Sequence, residues 1–181
     1  MKDLGDLHYF LGIEVIRTPE DILISQCHYV FSMLFKFDMT ECKSISTPRD
    51  RNVKLRPNSR MACDPKRFRQ IVGSLIYLTI TQSDLNYRVR LISQIMVHLT
   101  LEHLECMHRI LMYVGGTKDR ELLYRTGVAG QLVSYTDTDW ARNAGDRRST
   151  SEYVFSLGSV TIAWSSKKQQ TLALSSTEAD Y

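Results

Sequence analysis

The apolar pattern at the start of the chain predicts a β-hairpin followed by a helix. Residues 7–16 are rich in aromatic and β-branched side chains, which favour a strand, and residues 22–24 read as the returning strand. Residues 18–21 predict the turn between them, because proline presets φ and aspartate caps locally. Over residues 28–37 the apolar positions fall at helical spacing, which predicts a helix with one buried face.

The pattern changes over residues 40–63, which contain prolines and few apolar anchors. We expect a loop or linker there, with the first domain boundary at its end. A strong helical pattern then opens at Asp64-Pro65, since aspartate caps a helix and proline suits its first position. Apolar residues recur at steps of three and four as far as Thr79, which predicts a helix with a buried stripe.

Two more helices are predicted before the pattern changes again. The first of them has Ser83 or Asp84 as its cap and extends to about residue 97. The other runs over residues 101–114, and the glycine pair at 115–116 is expected to stop it. Three consecutive helices with short connections favour a small bundle packed on itself.

After Lys118 the apolar period becomes two, which is typical of strands. The strands are predicted at residues 122–125, 131–136, 151–155 and 160–165, with a tight turn at 157–159. Residues 175–178 read Ser-Ser-Thr-Glu, a helix-start signature. The predicted fold class is therefore α+β: a hairpin and helix, a three-helix segment, and a strand-rich part that ends in a helix.

Composition and charge exclude only a few classes of protein. The 181 residues are 43% hydrophobic and 24% charged, an ordinary globular balance that argues against wholesale disorder. The net charge of +3 is compatible with nucleic acid but is not diagnostic of it. The four cysteines form no CxxC pair, which argues against a zinc site and favours reduced thiols. No stretch approaches the roughly 18 apolar residues of a membrane span, so we expect no membrane partner.

One group of acidic residues could carry chemistry. Asp137 and Asp139 end a predicted strand, and Glu178 begins a predicted helix. Carboxylates that meet from a strand and a helix are what Mg²⁺ prefers, and two such ions can hold a phosphodiester and activate a water. The same residues also suit ordinary roles, as turn residues after a strand and as a dipole partner in a first helical turn. Spacing alone favours the ordinary roles.

Long motifs along the chain resemble copia-type retrotransposon polyproteins. The N-terminal stretch over residues 1–15, which includes Tyr9-Phe10-Leu11-Gly12, looks like the segment just after the polymerase active site of that family. The resemblance continues in the family's order through residues 44–48, 72–79, 109–111, 135–140, 146–151, 164–169 and 173–181. It covers essentially the whole chain, so chance is a poor explanation.

This resemblance implies a layout and a site. Residues 1–63 would be the end of the polymerase palm with a hairpin, a helix and a linker, and residues 64–117 would be thumb and connection helices. Residues 118–181 would be the first, incomplete half of an RNase H-like α/β domain. Asp137 would match the first catalytic carboxylate and Glu178 the second. The implied cofactor is Mg²⁺, the implied partner is an RNA–DNA hybrid, and the implied location is cytoplasmic or nuclear.

The resemblance also implies that the site is a remnant. In this family the paired aspartates of the polymerase are expected before Met1, and the later RNase H carboxylate and its histidine after Tyr181. Two carboxylates alone should bind Mg²⁺ weakly, so we expect no bound metal and no activity in the isolated chain. Glu152 stands where the family has a glycine, and other departures likewise put a retained nucleic-acid role in doubt.

Two non-catalytic roles compete with that of a polyprotein fragment. The first is a separately expressed interaction protein, such as a secreted pathogen effector that acts on a host protein to suppress defence or cell death. Chains resembling this family have been named RxLR-type effectors of oomycetes, although no Arg-x-Leu-Arg string and no signal peptide is visible here. The second is a nucleic-acid-binding module that uses Arg147, Arg148, Lys167 and Lys168. Because basic pairs in such loops are usually just solvated, this role ranks lower.

Overall fold

The chain folds into two compact units, as a computed structural model shows. The structure describes residues 5–48, 64–94, 99–125, 130–141, 146–158 and 160–180. The N-terminal unit is Met1–Leu123 and the C-terminal unit is Tyr124–Tyr181. Helices and antiparallel sheets are both present, which confirms the α+β class. The division into segments 1–63, 64–117 and 118–181 stays a prediction, and its first boundary lies outside the described residues.

The N-terminal unit begins with the predicted hairpin. Its strands are β1 (Tyr9–Phe10), β2 (Ile13–Arg17) and β3 (Asp21–Ser25), and β4 (Glu121–Arg125) completes a sheet of order β1-β2-β3-β4. The predicted turn is confirmed, since the Asp21 amide donates to Thr18 Oγ1 at 2.9 Å. The single strand predicted over residues 7–16 is wrong. It breaks at Leu11 and Gly12, whose φ values of 51° and 85° turn β1 back along β2.

Four α-helices lie between β3 and β4 in the described part of the chain. They are α1 (Cys27–Lys36), α2 (Pro65–Leu78), α3 (Asn86–Ser93) and α4 (Leu101–Gly116). The predicted start of α2 is confirmed, because the Asp64 side chain accepts from the Lys66 amide at 2.8 Å and Pro65 occupies the first turn.

Two predicted helix ends are wrong. Residues Ser83–Leu85 form a 3₁₀ turn, and α3 then begins without a side-chain cap, so neither Ser83 nor Asp84 caps it. The glycine pair at 115–116 does not stop α4 after residue 114 but forms its last two residues, and Thr117 is the C-cap. A Cβ on Gly116 would come within 2.9 Å of Ser44 Cβ. Close packing against the Ser44 segment therefore keeps a weak helix former in the last turn of α4.

One hydrophobic core joins all four helices of the N-terminal unit. Residues of α1 pack with the stripes of α2, α3 and α4, so the predicted bundle includes the first helix as well. The most completely buried large side chains of this core include Val30, Phe68, Leu75, Leu78, Leu85, Ile92, Leu99, Met107, Ile110 and Leu111.

The C-terminal unit is a three-stranded antiparallel sheet with one short helix. Its strands are β5 (Leu132–Asp139), β6 (Thr150–Leu157) and β7 (Val160–Lys168), in the order β5-β6-β7. The pairing of β6 with β7 is irregular at residues 155 and 156, which leaves Ile162 as an extra residue in β7. Helix α5 (Ser176–Ala179) begins at Ser175 as predicted, because Ser175 Oγ accepts from the Glu178 amide at 3.1 Å.

Within the described ranges, no helix combines the length and the apolar character needed to cross a membrane.

Candidate metal and nucleic-acid site

Asp137 lies in β5, near its C-terminal end, with an exposed side chain. Its Oδ1 accepts a hydrogen bond from the amide of Thr138 at 2.9 Å. Directly across the strand pair stands Glu152 of β6. Residues directly opposed in an antiparallel pair place their side chains on the same face, so two carboxylates share this part of the sheet surface.

Glu178 lies in α5 and is also exposed. Its carboxylate turns back toward the start of the helix, where Oε2 accepts from the Leu174 amide at 2.7 Å. Together with the Ser175 cap, this bond satisfies two amides at the helix start. In this structure the side chain of Glu178 therefore serves the local fold.

Register places Asp137 and Ser151, the strand residue that is tied to α5, on different faces of the sheet. Asp137, Glu152 and Ser166 oppose one another across the three strands. Their neighbours Thr138, Ser151 and Lys167 oppose one another at the alternate positions and so face the other way. Gln169 Nε2 donates both to Ser151 Oγ at 2.8 Å and to the Ala179 carbonyl at 2.6 Å. This bridge ties the end of α5 to Ser151 of β6.

A cavity of about 390 Å³ lies beside Glu178. It is lined by Ser151, Lys167, Lys168, Gln169, Gln170, Thr171, Ala173 and Glu178. Asp137 is not among the lining residues, whereas two lysines and two hydroxyl-bearing residues are. The cavity therefore combines one carboxylate with cationic and neutral polar groups.

The arrangement does not fit a Mg²⁺ site. Carboxylates are the right ligands for this ion, but the ligands must converge on one point. In the part of the chain that the structure describes, no three His, Cys, Asp or Glu side chains form a group that could hold a metal. Asp137 is also absent from the residues that line the cavity beside Glu178. No chemical step can be derived through a metal here.

Glu152 and Ser166 were missed by the sequence reading of the site. Ser166 is buried, and its hydroxyl donates to Glu152 Oε1 at 2.7 Å. This bond holds the second carboxylate beside Asp137. The only indication in the sequence was that Glu152 stands where the family has a glycine. That difference did not predict a carboxylate opposite Asp137.

The four basic residues proposed for nucleic acid fall into two groups. Lys168 Nζ lies 2.7 Å from Asp146 Oδ2, and Arg148 Nε lies 3.9 Å from the same oxygen. The Lys168 hydrogen bond is the main reason that the pKa of Asp146 lies below its usual value, and the Arg148 amide and both cations add to it. Arg147, at a φ of 56°, and exposed Lys167 have no such ion pair among the described residues. The nucleic-acid role of all four stays a prediction.

Comparisons with known proteins give a consistent set of relatives. The chain is 42% identical over 182 aligned residues to the "Retrovirus-related Pol polyprotein from transposon RE1" of Arabidopsis thaliana, and it spans only 12% of that polyprotein. It is 38% identical, over its whole length, to the "Uncharacterized mitochondrial protein AtMg00810" of the same plant and spans 75% of it.

A third relative has a different description. The "Secreted RxLR effector protein 161" of Plasmopara viticola is 40% identical over 111 residues, which are 61% of this chain and 78% of that protein. No protein-family model matches the chain, and no solved structure matches it.

Proposed function

Because the chain belongs to the copia-type retrotransposon Pol polyprotein family, we propose that it is a non-catalytic segment from the end of reverse transcriptase into RNase H. The observation that carries the proposal is 42% identity along the entire chain to a Pol polyprotein of which it spans 12%. The protein is transposon-derived, and its chemistry belonged to a much longer polypeptide.

The order of elements in the C-terminal unit supports the RNase H assignment. Asp137 lies in the first of three antiparallel strands, and Glu178 lies in the helix that follows them. This is the order that the family resemblance implies for the first two catalytic carboxylates. The N-terminal unit, with a hairpin before its helices, supports the assignment to the palm end and thumb.

The geometry supports the absence of catalysis. Two-metal phosphodiester hydrolysis needs carboxylates that hold both ions at one place. Here Asp137 stands opposite Glu152, whose carboxylate accepts a hydrogen bond from the Ser166 hydroxyl. Glu178 accepts from the Leu174 amide and shares its cavity with Lys167. An RNA–DNA hybrid remains the proposed partner by descent, bound through basic residues and not cleaved.

The test is a nuclease assay on the purified chain with a labelled RNA–DNA hybrid and Mg²⁺. We expect the wild type to cleave no faster than Asp137→Asn or Glu178→Gln. Asp180→Asn, an exposed acid two residues after Glu178, is the matched control. Mg²⁺-dependent cleavage that is lost in the two site variants and kept in the control would overturn the proposal. Filter binding of the same hybrid at several salt concentrations measures retained affinity separately.

A second candidate function is that of a separately acting interaction protein. The observation that favours it is the 40% identity to a relative whose name describes a secreted effector. In this reading the chain would enter a host cell and act on a host protein to suppress defence or cell death.

Expression in leaf cells beside an elicitor of cell death tests this second function. Reduced cell death relative to a variant with an unfolded N-terminal unit supports it, provided that both proteins accumulate equally. Equal cell death with both proteins excludes suppression of this response.

A further inference from the structure

Three segments at the ends of helices meet inside the N-terminal unit. Segment 26–27 lies at the start of α1, segment 81–82 follows α2, and segment 117–119 follows α4. The first and third segments touch where Cys27 Sγ lies 3.8 Å from Asp119 Oδ1. Hydrogen bonds join segment 81–82 to each of the other two. Each segment therefore contacts the other two, and we call the region that they enclose the helix-end junction.

Two glutamine side chains form the inner part of the helix-end junction. The Thr81 hydroxyl donates to Gln26 Oε1 at 2.8 Å, and Gln82 Nε2 donates to the Thr117 carbonyl at 3.2 Å. Because Thr81 and Gln82 are adjacent in the chain, both glutamine amides are held at the same short segment. These bonds use one polar atom of each amide and leave the other atom over.

The two remaining atoms are complementary, since Gln26 Nε2 is a donor and Gln82 Oε1 is an acceptor. Both atoms are buried and have no hydrogen-bond partner among the described residues. Gln26 is only 1% exposed and Gln82 only 4%, so bulk solvent does not hydrate these side chains. Two buried polar atoms without partners would each cost the fold the full desolvation of the group.

Reversal of either amide does not satisfy these atoms. If the oxygen and nitrogen of Gln82 exchanged places, its oxygen would face the Thr117 carbonyl, with acceptor against acceptor. The Gln26 amide could be reversed, because the Thr81 hydroxyl can accept as well as donate. The Gln26 oxygen would then be the atom without a partner. Each glutamine therefore retains one unsatisfied atom in every allowed orientation.

We propose that the helix-end junction binds one internal water molecule, which accepts from Gln26 Nε2 and donates to Gln82 Oε1. A cation could bind the oxygen but not the amide nitrogen, and an anion could bind the nitrogen but not the oxygen. Water both donates and accepts, and buried waters commonly bridge polar groups that the protein leaves unsatisfied. The bridge links the start of α1 to the segment after α2, and through Gln82 to the end of α4.

The first test detects the water by NMR on the isotope-labelled full chain in its wild-type form. We expect a rotating-frame cross-peak between the Gln26 side-chain amide protons and water, with the sign of a dipolar contact and not of proton exchange. Gln70 has an exposed side chain on α2 and is the internal control, which should show no such long-lived contact. Absence of the dipolar cross-peak at Gln26 overturns the proposal and would mean that the two amides bond each other directly.

The second test counts long-lived internal waters by magnetic relaxation dispersion of the water oxygen nucleus. Gln82→Met keeps the length of the side chain but removes Oε1, so the count should fall by one relative to the wild type. Gln70→Met makes the same change at an exposed position and should leave the count unchanged. An equal count in the wild type and in folded Gln82→Met overturns the proposal. The NMR test needs only the wild type, so it decides the question even if Gln82→Met does not fold.

Discussion

The side chains of Gln26 and Thr81 meet in the interior of the N-terminal unit, where the Thr81 hydroxyl donates to Gln26 Oε1 at 2.8 Å. Gln82 beside them donates from Nε2 to the Thr117 carbonyl at 3.2 Å. Gln26 Nε2 and Gln82 Oε1 are buried and have no hydrogen-bond partner among the described residues. The Thr81 hydroxyl therefore satisfies the oxygen of the buried Gln26 amide, and it is the one contact that offsets the desolvation of this side chain among the described residues.

Replacing Thr81 with valine should destabilise the N-terminal unit. The change keeps the shape but leaves Gln26 without its hydroxyl donor, which should lower the free energy of unfolding by about 1–3 kcal/mol. Urea denaturation measures it. Ser93→Ala, which removes a local hydroxyl bond to the Arg90 carbonyl on α3, is the control and should change it by less than about 0.5 kcal/mol. Equal changes in the free energy of unfolding would show that the buried hydrogen bond stabilises the fold no more than the local bond of Ser93 does.

Two adjacent positions of α2 should differ sharply in their response to truncation. Leu75 is fully buried in the core, whereas Ile76 is 47% exposed. Leu75→Ala should cost about 2–5 kcal/mol, because a cavity adds to the lost transfer free energy. Ile76→Ala should cost less than half as much. Thermal unfolding of both variants measures the difference, and a reversed order would mean that α2 packs through another face.

The two glycines in the last turn of α4 should respond in opposite directions to alanine. A Cβ at Gly115 would meet Cys42 Sγ at 3.5 Å, an ordinary contact, so Gly115→Ala should gain about 0.5–1 kcal/mol. A Cβ at Gly116 would meet Ser44 Cβ at 2.9 Å, so Gly116→Ala should cost about 1–3 kcal/mol. Chemical denaturation of the pair gives both signs, and stabilisation by both changes would contradict the described packing.

Removal of the Ser175 cap should loosen the start of α5. Ser175→Ala takes away the acceptor for the Glu178 amide and should cost about 0.5–2 kcal/mol of local stability. Ser175→Asp keeps an acceptor and should restore most of it. Hydrogen exchange of the Glu178 amide measures the loss directly. An exchange rate that is the same in all three proteins would exclude a capping role.

The ion pair between Asp146 and Lys168 should make the C-terminal unit sensitive to acid. The hydrogen bond from Lys168, followed by smaller contributions from Arg148, holds the folded-state pKa of Asp146 below its ordinary value of 3.8. The stabilisation is therefore present above that ordinary value and is lost as pH falls through the lowered pKa.

An NMR titration of the Asp146 carboxyl carbon tests this linkage. Lys168→Met should move the midpoint upward toward the ordinary value, while Lys167→Met, at the neighbouring exposed position, should leave it in place. A midpoint that is insensitive to Lys168→Met would mean that the ion pair does not persist in solution.

The sequence predicted those features that depend on nearby residues. Asp64 and Ser175 cap their helices as expected, because a cap needs only a side chain and an amide a few residues apart, and Pro65 takes the first helical position. The turn at Thr18 and Asp21 is local in the same way. The two-residue period also gave the approximate positions of β5, β6 and β7.

Features that depend on distant contacts could not be predicted. The glycine pair of α4 read as a stop, but packing against Ser44 and Leu34 overrides local propensity. The juxtaposition of Asp137 and Glu152 depends on the register across a long connection, which no local signal fixes. The link between Ser151 and α5 depends on Gln169, which belongs to no motif that predicts this contact.

Buried apolar residues are distributed unequally between the two units, and this affects how well each unit tolerates the mutations that accumulate in its gene. The core cluster lies wholly in the N-terminal unit, whereas Ala173 and Ala179 are the only buried apolar side chains described in the C-terminal unit. Random substitutions in a transposon-derived gene should therefore destabilise the N-terminal unit more often than the C-terminal unit. Related copies should retain the helical stripes of α2 and α4 long after the carboxylates and strand surfaces have drifted.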